Sequence, residues 1–218
     1  MRKNQITINV MELTDGIPLE YSVYCDSDNF CEALTGATQM VVEEHMKHQQ
    51  IPSFGDKSLK HKTTVGMYKG TPIIQGDVLS AKTDVIIHQV NCMGRMGSGI
   101  ARQVRNKYPN VYDAYLEFCE SHNKDELLGE VLCVDTEDGK TIANMFAQYD
   151  FGYDGKMYTH LKAFTTCLEF INTHFAGKRI AVPYKIGCGR GGANWDDVFP
   201  LITQKLSDCK IILYKYDE

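Results

Sequence analysis

The sequence predicts an α/β protein: a three-layer α/β/α domain on a mixed, mostly parallel sheet, with a small α+β extension at the N-terminus. Three observations point there. From about Gly66 onward, short apolar runs alternate with amphipathic helical segments. Several of those runs, DVIIHQV and TIANMFAQ among them, are apolar nearly throughout, as strands are when helices cover both faces of a sheet. Two glycine-rich stretches each fall between an apolar run and a helix start, which is where parallel sheets bind ligands.

Taken in order, residues 1–24 carry two strand-like runs, QITINVMEL and LEYSVY, separated by the turn pair Asp15-Gly16, and read as a hairpin. Ser27 is a fair N-cap for an amphipathic helix built on Phe30, Ala33, Leu34, Ala37 and Val41 and continuing to about His48. The stretch from Ile51 to Thr64 has Pro, Gly and clustered lysines without apolar periodicity, so it reads as a linker. The expected organisation is an accessory module over residues 1–50, a linker over 51–65 and the main domain over 66–218. Within that domain the strands are VGMYK, PIIQG, DVIIHQV, GEVLCV, TIANMFAQ, RIAVPY and KIILYKY. The helices are GIARQVRNKY, VYDAYLEFCESH, MYTHLKAFTTCLEFINTHF and WDDVFPLITQKL.

A length of 218 residues suits one substantial core plus an appendage. The formal net charge is −5 and the basic residues are scattered, so the electrostatic footprint of a duplex-binding protein is absent. Eight cysteines without C-x-x-C pairs or Cys/His ligand spacing indicate reduced thiols, no structural metal and a cytoplasmic protein. No stretch approaches the roughly 18 apolar residues of a membrane span, and the N-terminus lacks the apolar run of a signal peptide. No cofactor is expected, and no membrane partner.

In VNCMGRMGSGIARQ, Val90 to Gln103, the glycines open a helix whose first N–H groups have no internal acceptor and suit an anionic oxygen. The pattern is neither a Walker motif nor G-x-G-x-x-G, so alone it leaves phosphate cradle and ligand-free turn equally open. KIGCGRGGANW, after the strand RIAVPY, is a second such loop, with Asn194 as the N-cap of the next helix. Two loops of this kind in one sheet could grip both sides of a diphosphate through main-chain donors, with no basic groove.

The ordered set IIQGDVLSAKTDVIIHQVN, GRMGSGIA, IANMFAQY, VPYKIGCGRGGANW and ILYKY resembles the ADP-ribose-binding macrodomain family over about residues 66–218. The loops look closest to the subgroup that contains the terminal ADP-ribose protein hydrolase, the DNA ADP-ribosyl glycohydrolase antitoxin and the ADP-ribose-phosphate phosphatase. The resemblance implies that Asp77 accepts from the adenine amine, with Val78 beside the base and Tyr214 stacking near it. Competing readings are a turn-capping aspartate and a half-buried strand tyrosine. It implies that Asn91 bonds the distal ribose, against the alternative of an Asx-turn. Gly97, Ser98, Gly99 and Ile100 would offer N–H groups to one side of the diphosphate. Gly187, Cys188, Gly189, Arg190, Gly191 and Gly192 would close over the other side. The partners implied are ADP-ribose or a related nucleotide, and ADP-ribosylated protein or nucleic acid.

For hydrolases of the subgroup the resemblance implies a catalytic lysine at about Gln148 and an aspartate at about Gly191, and neither side chain is present here. The remaining candidates for directing a water at the distal ribose are Asn91, Asp150 and His160, with Asp154 and Lys156 in the same connection, YDFGYDGKMYTH. Cys188 and Cys92 lack a local His to activate them as nucleophiles, and His88, inside an apolar strand, reads as a satisfied core histidine. Three functions stay open: hydrolysis at the distal ribose, ADP-ribose binding without turnover, or a sensor domain coupled to a partner-binding N-terminal module.

Overall fold

The computed structural model describes residues 4–11, 18–25 and 64–216, with side-chain environments from Val65 onward. The helix expected after Ser27 and nearly all of the expected linker lie outside these residues. The chain divides into two compact units, residues 1–76 with 215–218, and residues 77–214.

In the first unit, β1 (Asn4–Met11) and β2 (Pro18–Cys25) pair antiparallel, Asn4 opposite Cys25 and Met11 opposite Pro18, as the Asp15-Gly16 turn predicts. β3 (Thr64–Tyr68) runs parallel to β2, and β4 (Thr71–Gln75) returns antiparallel to β3. The structure therefore groups β3 and β4 with the hairpin, and its division falls after Gly76.

The second unit holds β5 (Val85–Asn91), β6 (Val131–Asp135), β7 (Thr141–Gln148), β8 (Arg179–Pro183) and β9 (Lys210–Lys215, of which residue 215 belongs to the first unit). Their order is β9-β8-β5-β7-β6. The pairs β9·β8, β8·β5 and β5·β7 are parallel and β7·β6 is antiparallel, which makes the sheet mixed and mostly parallel. Helices are α1 (Gly99–Lys107), α2 (Pro109–Ser121), the single turn α3 (Lys124–Leu127), α4 (Leu161–His174) and α5 (Trp195–Lys205). Among the described residues, no helix is long and apolar enough to cross a membrane.

Alternation along the strands explains the layers. Val104 of α1 and Val111 of α2 pack with Ile86, Ile142 and Ala181, while Tyr115 of α2 packs with Val90 and Phe146. Their strand neighbours Ile87, Ala143, Met145, Ile180 and Val182 project to the other side and are equally buried, so that face must be covered too. There α4 packs on β7 and against α5, burying Phe164, Leu168, Ile171, Val198 and Ile202.

Two helix starts differ from expectation. α2 begins at Pro109, whose missing N–H costs nothing at the first helical position. α4 begins at Leu161 instead of Met157, because the N–H groups of Tyr158 and Thr159 donate to the Gly191 carbonyl and hold that segment extended. His88 departs as well: its Nε2 lies 2.7 Å from Asn144 Oδ1, but its buried Nδ1 has no partner. Complete burial pushes this imidazole down to about 4 against the pull of Asn144, so it is a neutral, half-satisfied core group.

Candidate functional site

Because β7, β5, β8 and β9 run parallel, the chain leaves all four at one end of the sheet, the end where such folds place ligands. Both glycine loops and the β7–α4 connection emerge there. Tyr214 is at the same end, opposite Pro183, and its carbonyl accepts from the Tyr184 N–H.

The first loop is braced by side chains. Asn91 ends β5 buried, and its Oδ1 accepts from the N–H groups of Met93 (3.0 Å) and Arg95 (3.3 Å), while Nδ2 donates to the Arg95 carbonyl at 2.6 Å. The Tyr115 hydroxyl donates to the Asn91 carbonyl at 2.7 Å and accepts from the Arg95 N–H at 3.0 Å. Asn91 thus makes the Asx-type turn, with one Nδ2 proton to spare.

Beyond this turn, α1 starts uncapped. Ser98 stands at its N-cap without a side-chain cap bond, and no acidic residue sits in the first turn. Arg102 is the first N–H to find an acceptor, the Ser98 carbonyl at 3.2 Å. The N–H groups of Gly97, Ser98, Gly99, Ile100 and Ala101 have none among the described residues, and a Cβ on Gly97 or Gly99 would meet open space. By contrast α5 is closed by its own sequence. Asn194 Oδ1 accepts from the Asp196 N–H at 3.0 Å, and Asp196 and Asp197 fill the first turn.

The second loop is held by close approach. Gln89 Nε2 donates to Thr159 Oγ1 (2.9 Å), which donates to the Gly187 carbonyl (2.8 Å). The Gly191 carbonyl accepts from Tyr158 and Thr159. A Cβ on Gly191 would collide with Thr159 Oγ1 and the Gly187 carbonyl, and one on Gly192 would come within 2.7 Å of the Lys156 carbonyl. Position 191, where hydrolases of the subgroup are expected to carry aspartate, therefore has no room for a side chain. Gln148, at the lysine position, is buried at the end of β7. The N–H groups of Gly187, Gly189, Arg190 and Gly191 have no acceptor among the described residues, whereas those of Cys188 and Gly192 close turns within the loop.

At the other flank, Asp77 caps a 3-10 turn, Val78–Ser80, with Oδ1 accepting from the Leu79 N–H at 2.9 Å and Oδ2 from the Ser80 hydroxyl at 3.2 Å. Val78 belongs to an apolar cluster against which Ile100 and Tyr214 both pack, so the same core carries three residues far apart in sequence.

The catalytic candidates each have local work. Asp150 Oδ1 accepts from the Phe151 N–H, and His160 caps α4, Nδ1 accepting from the Ala163 N–H at 3.1 Å. That bond puts the remaining proton of neutral His160 on Nε2. Asp154 binds Lys156 and the Tyr158 hydroxyl, and these bonds hold its carboxyl down to about 2. Burial raises the Cys188 thiol, opposed by Lys185, and pushes Cys92 up to about 12, so neither is an activated thiolate. Arg190 stacks on the Tyr153 ring, 4.2 Å from its centroid.

Sequence reasoning missed Gln89, Thr159, Tyr115 and Tyr153. The signal for Gln89 was present, a long polar side chain inside VIIHQVN. Thr159 and Tyr115 act through contacts 70 and 24 residues away, which no local pattern encodes.

A family model described as Macro domain matches residues 87–202. The DNA ADP-ribosyl glycohydrolase of Mycobacterium tuberculosis is 32% identical over 145 residues, 64% of this chain and 40% of that protein. The ADP-ribose 1''-phosphate phosphatase of Meyerozyma guilliermondii is 33% identical over 69 residues, 29% of this chain and 39% of its own. The solved macrodomain of Mycobacterium tuberculosis DarG superposes with a TM-score of 0.53 at 30% identity, covering 64% of this chain and 93% of that one. The chain thus spans about 40% of the length of the curated relatives it matches.

Proposed function

The chain belongs to the Macro domain family, and on that premise we propose that it recognises ADP-ribose, or a derivative of it, between its two glycine loops. One observation carries this reading: two sets of main-chain N–H groups, Gly97 to Ala101 and Gly187 with Gly189 to Gly191, stand at the same end of one sheet without acceptors among the described residues. Such donors, one set at the positive end of α1, suit the charged and bridging oxygens of a diphosphate without any basic groove, which agrees with a net charge of −5. Asp77 and Tyr214 would then serve the adenine, Val78 would lie beside it, and the spare Nδ2 proton of Asn91 would serve a distal ribose hydroxyl.

Calorimetric titration with ADP-ribose tests this directly. Micromolar binding with one site is expected, and no heat at millimolar ligand would sink the proposal.

A second reading, hydrolysis at the distal ribose, is favoured by the names of the relatives, one acting on ADP-ribosyl DNA and one on ADP-ribose 1''-phosphate. The lysine-aspartate route is closed by Gly191. The carboxylate we assign to the water is Asp150, which lies in the β7–α4 connection with one oxygen accepting from the Phe151 N–H and the other uncommitted. Water would attack the substituted anomeric centre, its proton passing to Asp150 and the leaving group departing with the bonding pair. Asp150→Asn should then abolish release of ADP-ribose from ADP-ribosylated DNA or from the 1''-phosphate while ADP-ribose affinity stays within twofold. If neither substrate is consumed by the unaltered chain, the loops hold the nucleotide without turning it over.

A further inference from the structure

Gln89 carries a polar atom without a partner. Its Oε1 is sealed from solvent and accepts no hydrogen bond, although its Nε2 is committed to Thr159 at 2.9 Å. A buried carbonyl oxygen without a donor costs free energy, and proteins pair nearly all such groups. This oxygen lies against the second glycine loop, 2.9 Å from where a Cβ on Gly187 would stand, so the nearest source of a donor is that loop.

Two peptides of the loop are free to supply one. In Cys188–Gly189 and in Arg190–Gly191, neither the N–H nor the carbonyl is bonded among the described residues, while every other peptide from Lys185 to Ala193 is anchored at one atom or more. The second of these two stands beside Gln89. A Cβ on Gly191 would come within 3.0 Å of Gln89 Nε2, whereas one on Gly189 would meet open space. The Gly191 carbonyl is pinned by the N–H groups of Tyr158 and Thr159, so the Arg190–Gly191 peptide can turn about a fixed Gly191. Such a turn exchanges the directions of the Gly191 N–H and the Arg190 carbonyl, and a glycine at 191 has no side chain to obstruct it.

One N–H is therefore wanted in two places. Turned inward, it satisfies Gln89 Oε1 and brings the Arg190 carbonyl round to the proposed diphosphate site, where its partial negative charge repels phosphate. Turned outward, as in this structure, it is open to a ligand and leaves Oε1 bare.

Resting on the reading of the glycine loops as the ADP-ribose site, we propose that the Arg190–Gly191 peptide is a switch: Gln89 Oε1 holds its N–H when the site is empty, and a phosphate oxygen draws it out. The two acceptors compete, so the apparent affinity is lowered by the share of empty chains in the inward setting. Gln89 is then a positioning residue that sets how far the empty loop is closed to anions.

Amide exchange measured by NMR on the full, ligand-free chain reads the inward setting. After correction for intrinsic rates, the Gly191 amide should exchange at least about threefold more slowly than that of Gly189, as it does when held inward in about two thirds of empty chains. Gln89→Met should erase the difference. Equal rates, expected if a trapped water satisfies Oε1 instead, would overturn the switch, and so would slow exchange that survives Gln89→Met. Affinity supplies an independent sign. Thr159→Val removes the hydroxyl that Gln89 Nε2 holds, so adding Gln89→Met to it takes away the competing acceptor with no further loss of that brace. The double variant should bind ADP-ribose more tightly than Thr159→Val alone, by about the same threefold. Unchanged or weaker binding would defeat the competition. If the unaltered chain gives no heat with ADP-ribose, the reading of the loops falls, while the exchange rates still decide whether Gln89 holds the peptide.

Discussion

The two glycine loops look alike in sequence and are built on opposite principles. In the first, side chains do the bracing: Asn91 and Tyr115 hold the turn, and Gly97 and Gly99 have open space where a Cβ would go. In the second, the backbone is wedged against Thr159 and the Lys156–Met157 peptide: Gly191 and Gly192 have no room for a Cβ, and Gly187 stands in the left-handed region at φ +76°. A glycine facing empty space leaves room for something from outside. A glycine facing its own chain is structural, whatever ligand lies beyond it.

This contrast can be broken by substitution. Gly191→Ala should have the largest effect on folding, about 2 kcal/mol or more, because Cβ must displace Thr159 and the Gly187 carbonyl together. Thermal unfolding should fall by several degrees, and an unchanged midpoint would refute the wedge. Tyr115→Phe comes next, at about 1–2 kcal/mol, since it removes the hydroxyl that donates to the buried Asn91 carbonyl and leaves the Arg95 N–H only its longer bond to Asn91 Oδ1. Denaturant titration checks this, and ADP-ribose affinity should drop severalfold as the first loop loosens. Asp77→Ala should cost about 1 kcal/mol through the lost cap. If the carboxylate also receives adenine, affinity falls about tenfold and discrimination against a hypoxanthine analogue disappears. Gly97→Ala should leave stability within about 0.5 kcal/mol, there being nothing for its Cβ to strike, yet weaken ADP-ribose about tenfold. Loss of stability there would put the two loops in one class.

Most of the architecture could be read from periodicity and end signals. TIANMFAQ is β7 residue for residue, Asn194 caps α5, and both glycine stretches join strand to helix. These features are local: a buried strand is an apolar run, and a cap is one side chain beside three N–H groups. The start of α4 escapes a local reading because Tyr158 and Thr159 answer to Gly191, more than thirty residues on. The site was legible as a set of donors and illegible as a set of roles. Nothing in YDFGYDGKMYTH says that His160 spends Nδ1 on a helix end or that Asp150 holds its own neighbour. Position 191 shows the limit from the other side, since the sequence reveals a missing aspartate and only the structure reveals that there is no space to restore it.

Gln89 and Asn91 stand two residues apart on β5, one tied to the second loop through Thr159 and the other to the first through Arg95. That spacing, roughly 7 Å along a strand, works as a caliper: both jaws are referenced to a single rigid bar rather than to each other. A change that tilts or shifts the end of β5 would carry the jaws together and preserve their gap. A change at either of these two side chains would alter the gap alone, so if the loops grip a diphosphate as proposed, these residues are the dials that would retune the chain for a bulkier or slimmer ligand.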